Sequence, residues 1–349
     1  MRGNVVHSVL TLAILLALAG CRDPGGRVHE RNWPVMGTVA SLTVRDTDAA
    51  TAARLTTIAQ ETFDAFNARF SLYLPDSELS RLNAAGTNGL AISAGMHDML
   101  AICGRYHALT GSTFDPTVAP AVQLWGFSGG HKPTTVPDPD TLAGVRSRIG
   151  FQHVQFDTDR ARFAVPDIRM DVGGIAKGVA IDRAFERLTV AYDGPLLLNL
   201  GGEMRVQGRP EPARPWRIGV RNPFDRAAII GVLELPSGMA TATSGHYERF
   251  VTLDGVRYSH IIDPRTAAPT TGMAGVTVLC VDSTAADALS TALFVLGLEA
   301  GGRLAARLDT VEALFVPDRQ PLEIHATADL LPYFTPEPEW REALQVIDE

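Results

Sequence analysis

From residue 152 onward the chain reads mostly as strands, with only two helical runs among them. Alternating or short apolar stretches fall at 152–156, 161–170, 196–200, 203–208, 216–220, 229–235, 247–253, 256–262 and 274–281, and helical spacing at 175–190 and 283–297. The first half is different. A strand at 38–44 (TVASLTV) leads into a long alanine-rich helix at 48–69. Shorter helices follow at 75–83, with Asp76 or Ser77 as the cap, at 93–109, and from DPT (115–117) to Leu124. A steady β-α-β-α order would build a doubly wound parallel sheet, and this order does not supply it. Long helices beside runs of paired strands predict an α+β fold, with a mixed or antiparallel sheet as core and helices packed on it. The segment SGGHKPTTVPDPD (128–140) reads as a loop and does not by itself mark a domain boundary.

The N-terminus is expected to lie outside that fold. Arg2 precedes the apolar run VLTLAILLALAG, which ends at Cys21. The run is too short to span a bilayer comfortably, since a spanning helix needs roughly 20 apolar residues. A basic start, a short apolar core and small residues before the cut describe a secretory signal at 1–20. The tetrapeptide L-A-G-C has the form of a bacterial lipobox, which makes Cys21 the lipidated first residue of the mature chain. The plainer alternative is an ordinary signal peptide that ends near a cysteine. Residues 21–31 then read as a polar tether and 32–349 as one domain. Arg22, where aspartate is absent, favours the outer membrane. Cys103 and Cys280 stand in apolar surroundings (LAICGRY, VTVLCVDS) and read as buried small residues rather than a disulfide or metal pair. The net charge of −8 leaves no basic field for nucleic acid.

Three patterns carry chemistry. The first is DVGGIAKG at 171–178, followed by the helical run VAIDRAFERL. It lacks the G-x-x-x-x-G-K-[ST] of a Walker loop and the G-x-G-x-x-G of a dinucleotide fold. A strand ending at Met170-Asp171, two glycines and a helix start still place free backbone N–H groups where an anion can sit, with Lys177 adding charge. The bland alternative is a glycine turn with a solvated lysine. The second pattern is ADALSTALFVLG at 286–297. Asp287 and Thr291 are four residues apart and share a helix face. A carboxylate and a hydroxyl are hard oxygen ligands, suited to Mg²⁺ rather than zinc. Alternatively, Asp287 caps the helix and Thr291 packs. The third is YSHIIDPRT at 258–266, where His260 ends a strand before an Asp-Pro turn. Its ordinary pKa suits a proton acceptor at neutral pH, though a half-buried strand histidine fits the pattern equally.

Taken together, eight motifs in order resemble the ApbE family, the FAD:protein FMN transferases. They are MGT (36–38), FSLYLPDSELSRLN (70–83), GSTFDPTVAPAVQLWGF (111–127), DVGGIAKGVAIDRA (171–184), LNLGGEMRVQG (198–208), ATSGHYERF (242–250), HIIDPRT (260–266) and ADALSTALFVLG (286–297). The resemblance runs from 36 to about 314. It implies a T-fold-like α+β domain and a Mg²⁺-dependent reaction. In it a threonine or serine hydroxyl of a target protein attacks the FMN-side phosphorus of FAD, AMP leaves, and FMN stays attached by a phosphoester.

The resemblance also implies site roles. Asp287 and Thr291 match metal ligands, with Gly174 supplying a backbone carbonyl. Met36, Tyr73, Thr113, Phe114 and Asp115 match FAD contacts, as do Asp171 and Lys177 on the flavin nucleotide and Ile261 beside the family histidine. His260 matches the base, and His246 is the alternative. Two departures are visible. Arg265-Thr266-Ala267-Ala268-Pro269 lacks the glycine of the family's R-T-G-x-P, and Ser244-Gly245-His246-Tyr247 departs from the acidic or small residue common before the tyrosine. Neither departure is expected to touch the metal set.

The lipid anchor and the family together imply a membrane-anchored lipoprotein on the periplasmic face. Its targets would be exported proteins with a flavinylation motif, such as subunits of redox pumps. Two other readings share these residues. With water as nucleophile the same site gives FMN and AMP by hydrolysis, and without catalysis the chain is a lipoprotein that stores FAD.

Overall fold

A computed structural model describes residues 27–130 and 133–347. The signal at 1–20, Cys21 and the first part of the tether lie outside the described residues. The segment expected as a tether overlaps the fold, because residues 28–31 already belong to a strand. Val28–Val35 pairs antiparallel with Thr38–Arg45 across the Met36-Gly37 turn. Both turn residues have positive φ, 50° and 72°, as a two-residue hairpin requires.

This hairpin starts a nine-stranded sheet. Its order continues through Leu196–Leu200, Glu203–Gln207, Ala240–Gly245, Met273–Cys280, Val311–Pro317, Ile324–Ala326 and Leu344–Val346. Every pairing is antiparallel except the last. The α+β expectation therefore holds, with a mixed sheet that is antiparallel almost throughout. Met273–Cys280 is buried along its whole length, because it runs through the middle of the sheet with both faces covered. Val276 and Val278 meet the helices on one face, and Leu279 meets the second layer on the other.

The helical face carries α1 (Ala49–Phe70), α2 (Glu78–Ala85), α3 (Ala94–Leu109), α6 (Ala176–Ala191) and α7 (Ser283–Ala305). Their apolar residues, among them Phe63, Met99, Ile181, Leu289 and Phe294, fuse with the sheet into the main core. The opposite face is closed by the antiparallel strands Trp216–Arg221, Ile229–Leu235 and Phe334–Pro336, around Trp216, Leu233 and Phe334. A third, smaller cluster joins α4 (Ala119–Leu124) and α5 (Pro139–Arg146) to the hairpin Phe250–Leu253/Val256–Ser259, through Trp125, Phe127, Leu253 and Ile262.

Several boundaries differ from the sequence reading. The strand expected at 161–170 is only Arg160–Phe163. Residues leading to Met170 are instead held by the Asn83 side chain, which donates to the Met170 carbonyl at 2.9 Å and accepts from its N–H at 2.8 Å. A polar side chain from α2 thus replaces a neighbouring strand. The run at 256–262 divides into Val256–Ser259 and Ile262–Asp263. Helix α7 continues to Ala305 past a break at Gly297, whose φ of 75° interrupts helical geometry. Cys103 and Cys280 are buried and unpaired, as expected.

Candidate active site

The site forms where the start of α6 meets the first turns of α7. Gly178 permits that meeting, because a Cβ placed there would lie 2.2 Å from the Ser283 carbonyl oxygen. No side chain fits between the two backbones. The N-terminus of α7 is held by two carboxylates. Asp282 accepts from Ala285 N at 2.6 Å. Asp182 of α6 accepts from Ser283 N at 2.9 Å and Thr284 N at 2.8 Å. Helix starts leave such N–H groups unpaired within the helix, so both bonds lock α7 against α6. Arg205 pairs with Asp182 at 2.6 Å and so balances its charge.

Asp287 follows one turn into α7 and is 3% exposed. Its Oδ2 accepts from Gly178 N at 2.9 Å, so one free N–H at the start of α6 already meets a carboxylate. Asp287 therefore does not cap its own helix; Asp282 does. Its Oδ1 lies 3.7 Å from Lys177 Nζ, and the same ammonium is 2.5 Å from Glu203 Oε1. Lys177 is ion-paired and half-buried rather than free in solvent as the bland alternative required. Burial opposes its charge, but Asp287 and Glu203 outweigh burial and hold its pKa above the ordinary value. Burial and the Asp287 charge push the Glu203 carboxyl well up, with Lys177 opposing.

One turn further, Thr291 Oγ1 sits beside Gly174. A Cβ built on Gly174 would come within 3.4 Å of that oxygen and 3.6 Å of the Phe114 ring. Thr291 Oγ1 also lies 3.3 Å from Ser244 Oγ, which is 3.0 Å from Ser290 Oγ. Ser244 reaches Thr291 because the strand Ala240–Gly245 runs directly under α7, while the departure in that segment, His246 before Tyr247, faces Asp318 and Phe224. Asp171 lies in the turn before α6, where its Oδ1 accepts from Gly173 N at 2.8 Å. Burial raises its pKa, against the Gly173 N–H and the charges of Arg249 and Lys177.

His260 follows the strand Val256–Ser259. Its Nδ1 lies 3.2 Å from the Arg249 carbonyl. That contact assigns the proton to Nδ1 and leaves Nε2 free to accept. Burial and the Arg249 and Lys177 charges, opposed by this hydrogen bond, lower its pKa to about 4. The imidazole is therefore neutral at pH 7. His246, the alternative, faces Asp318 with Nε2 at 3.4 Å.

Thr113, Phe114 and Asp115 are buried. Thr113 Oγ1 donates to the Thr110 carbonyl, and Asp115 accepts from Thr117 and from Phe151 N. Their polar side-chain atoms are thus engaged within the protein. Ile261 is buried, Met36 sits at the hairpin tip packed on the core, and Tyr73 is 76% exposed in the turn between α1 and α2. Concavities of about 410 Å³ at the Gly297 break and about 340 Å³ between α1, α3 and α6 are lined by none of these residues. Four residues escaped the sequence reading: Glu203, Ser244, Arg249 and Asp182. Glu203 had a visible signal, a charge opening an apolar strand just after Gly-Gly.

Fold and site together define an α+β protein with an oxygen-rich corner beside a neutral histidine. Residues 36–315 match the ApbE family model, and the chain belongs to that family. Among its relatives, an FAD:protein FMN transferase of Vibrio cholerae is 32% identical, over 94% of this chain and 98% of that protein. One of Haemophilus influenzae is 33% identical, over 84% and 88%. A crystal structure of the ApbE protein of Thermotoga maritima superposes with a TM-score of 0.81 at 28% identity, covering 88% of this chain and 99% of that one.

Proposed function

We infer that this chain transfers FMN from FAD to a target protein. The observation that carries the reading is the span of the likeness: the family match covers 36–315, and relatives at about one-third identity over most of the chain bear that activity in their names. The finer chemistry is our reading of the corner. The acceptor hydroxyl of a threonine or serine attacks the FMN-side phosphorus. The new P–O bond forms as the bond to the AMP phosphate breaks, and the hydroxyl proton passes to His260 Nε2. General-base assistance of this kind is worth roughly 10²–10⁴-fold.

Asp287 Oδ1, Thr291 Oγ1 and the Gly174 carbonyl would hold a Mg²⁺. All three are hard oxygen donors, and Gly174 abuts Thr291, so the residues fit the ion. Among the described residues no group of three His, Cys, Asp or Glu stands ready for a metal. That suits an ion bound largely through substrate phosphates. When bound, Mg²⁺ would neutralise charge on the pyrophosphate as AMP departs. Lys177 and Asp171 would contact the flavin nucleotide, and the exposed Tyr73 ring offers a stacking surface. Thr113 and Asp115 would reach FAD through their backbone, since their side chains are engaged. Met36, Phe114 and Ile261 would supply apolar walls. Lipidation at Cys21 would hold the domain on the periplasmic face, among exported targets such as redox-pump subunits.

Chromatography of a mixture of protein, FAD and Mg²⁺, with and without an acceptor domain bearing a threonine flavinylation motif, tests this. Transfer predicts AMP that appears with acceptor and no matching free FMN. Equal AMP and FMN, indifferent to acceptor, would mean hydrolysis instead.

A further inference from the structure

Glu203 has no part in the reading above, yet it is the closest partner of Lys177. It opens the strand Glu203–Gln207 directly after the Gly201-Gly202 turn and is 5% exposed. Its Oε1 takes the ammonium at 2.5 Å, while its Oε2 is buried with no hydrogen-bond partner. A buried carboxylate oxygen without a partner is costly, and buried ion pairs are weak sources of stability. Stability alone is therefore a poor account of this residue. The geometry of its neighbour suggests another. Lys177 lies 2.5 Å from Glu203 but 3.7 Å from Asp287 Oδ1, while Asp287 Oδ2 is fixed by Gly178 N. Asp287 Oδ1 is the oxygen left for a cation, and the ammonium is its nearest competitor.

We propose that Glu203 is a positioning residue that holds Lys177 off Asp287, so that Asp287 Oδ1 meets a divalent cation instead of an ammonium. The proposal rests on the Mg²⁺ reading of the corner. Lys177 sits closer to Glu203 than to Asp287, which leaves the Asp287 charge open to the ion. Without the Glu203 carboxyl to hold it, Lys177 moves onto Asp287 and competes with the metal directly. Glu203 then acts only through the lysine, which makes its effect conditional.

The test is calorimetric titration of Mg²⁺ into the full chain saturated with FAD, for wild type, Glu203→Gln, Lys177→Met and the double variant. Loss of an outer partner of a metal ligand commonly weakens metal affinity about 10–100-fold, so Glu203→Gln is expected to raise the Mg²⁺ dissociation constant roughly tenfold. In the Lys177→Met background the same change should shift it by no more than about threefold, well below the usual outer-partner effect. Wild-type affinity in Glu203→Gln overturns the proposal. So does an equal loss in both backgrounds, which would make Glu203 a ligand or a purely structural residue. If Glu203→Gln does not fold, the proposal still fails on a large difference between Lys177→Met and the double variant, which lacks both buried charges. Absence of Mg²⁺ binding by wild type would instead refute the metal reading itself.

Discussion

The corner proposed to hold the metal and the histidine lobe are built in different ways. The corner sits inside the main core, where α6 and α7 touch through Gly178 and every charged group has a partner of opposite sign or an N–H. The lobe is a short hairpin on its own small cluster, and its histidine rests on one backbone carbonyl. Precision comes from different sources in the two places. An ion site needs oxygens fixed in place, which two locked helices supply. A base needs a free lone pair at the right protonation state, which partial burial beside Arg249 and Lys177 supplies. Changes in the corner should therefore alter binding and stability together, whereas changes in the lobe should alter rate alone.

The largest effect is expected at Asp287. Asp287→Asn keeps the size of the side chain but removes its charge from beside Lys177. Transfer should fall at least about 10³-fold if the ion is lost, an effect on the scale of removing a major electrostatic group, with Mg²⁺ binding lost in parallel. Steady-state rates together with Mg²⁺ titration check this, and near-normal activity would remove Asp287 from the metal set.

His260→Ala should lower kcat by roughly 10²–10⁴-fold while FAD affinity changes little, as fluorescence titration would show. An equal loss in both would make His260 a binding residue. The pH profile sharpens the point. The neutral form is the one that would act as base, and the folded pKa is about 4, below the ordinary value of about 6.5. The acid limb of kcat/KM should therefore fall near pH 4, not near 6.5.

The smallest effect is at Ala267, which is fully buried with φ of 58° and a carbonyl that accepts from Trp125 Nε1 at 2.9 Å. The family's glycine would relax that left-handed backbone. Ala267→Gly should stabilise by at most about 1 kcal/mol, since the lost methyl offsets part of the relief. Thermal unfolding would measure it, and a clear destabilisation would mean that packing outweighs backbone strain here.

The helices were the most legible part of the fold. Their caps and apolar spacing are local, and Ser77 caps α2 as the sequence suggested. The strand Val28–Val35 was hidden because VHERNWPV carries polar residues at an exposed sheet edge. Ala240–Gly245 was hidden because small residues replace bulky ones beneath α7. The segment before Met170 was misread because Asn83, far away in sequence, supplies its hydrogen bonds. In the site, Asp287, Thr291, Gly174 and His260 stood out by motif. Ser244 became visible only through contacts that join distant strands and helices, which no spacing rule encodes, and Glu203, marked in sequence only as a charge after Gly-Gly, took its place in the site from such contacts too.

Transfer would leave FMN joined to a protein hydroxyl. Intact mass of a purified acceptor domain, after incubation with this protein, FAD and Mg²⁺, tests it most directly. FMN transfer predicts a gain equal to one FMN phosphoester, abolished by EDTA and by replacing the acceptor threonine with alanine. An unchanged acceptor mass while AMP accumulates would contradict it.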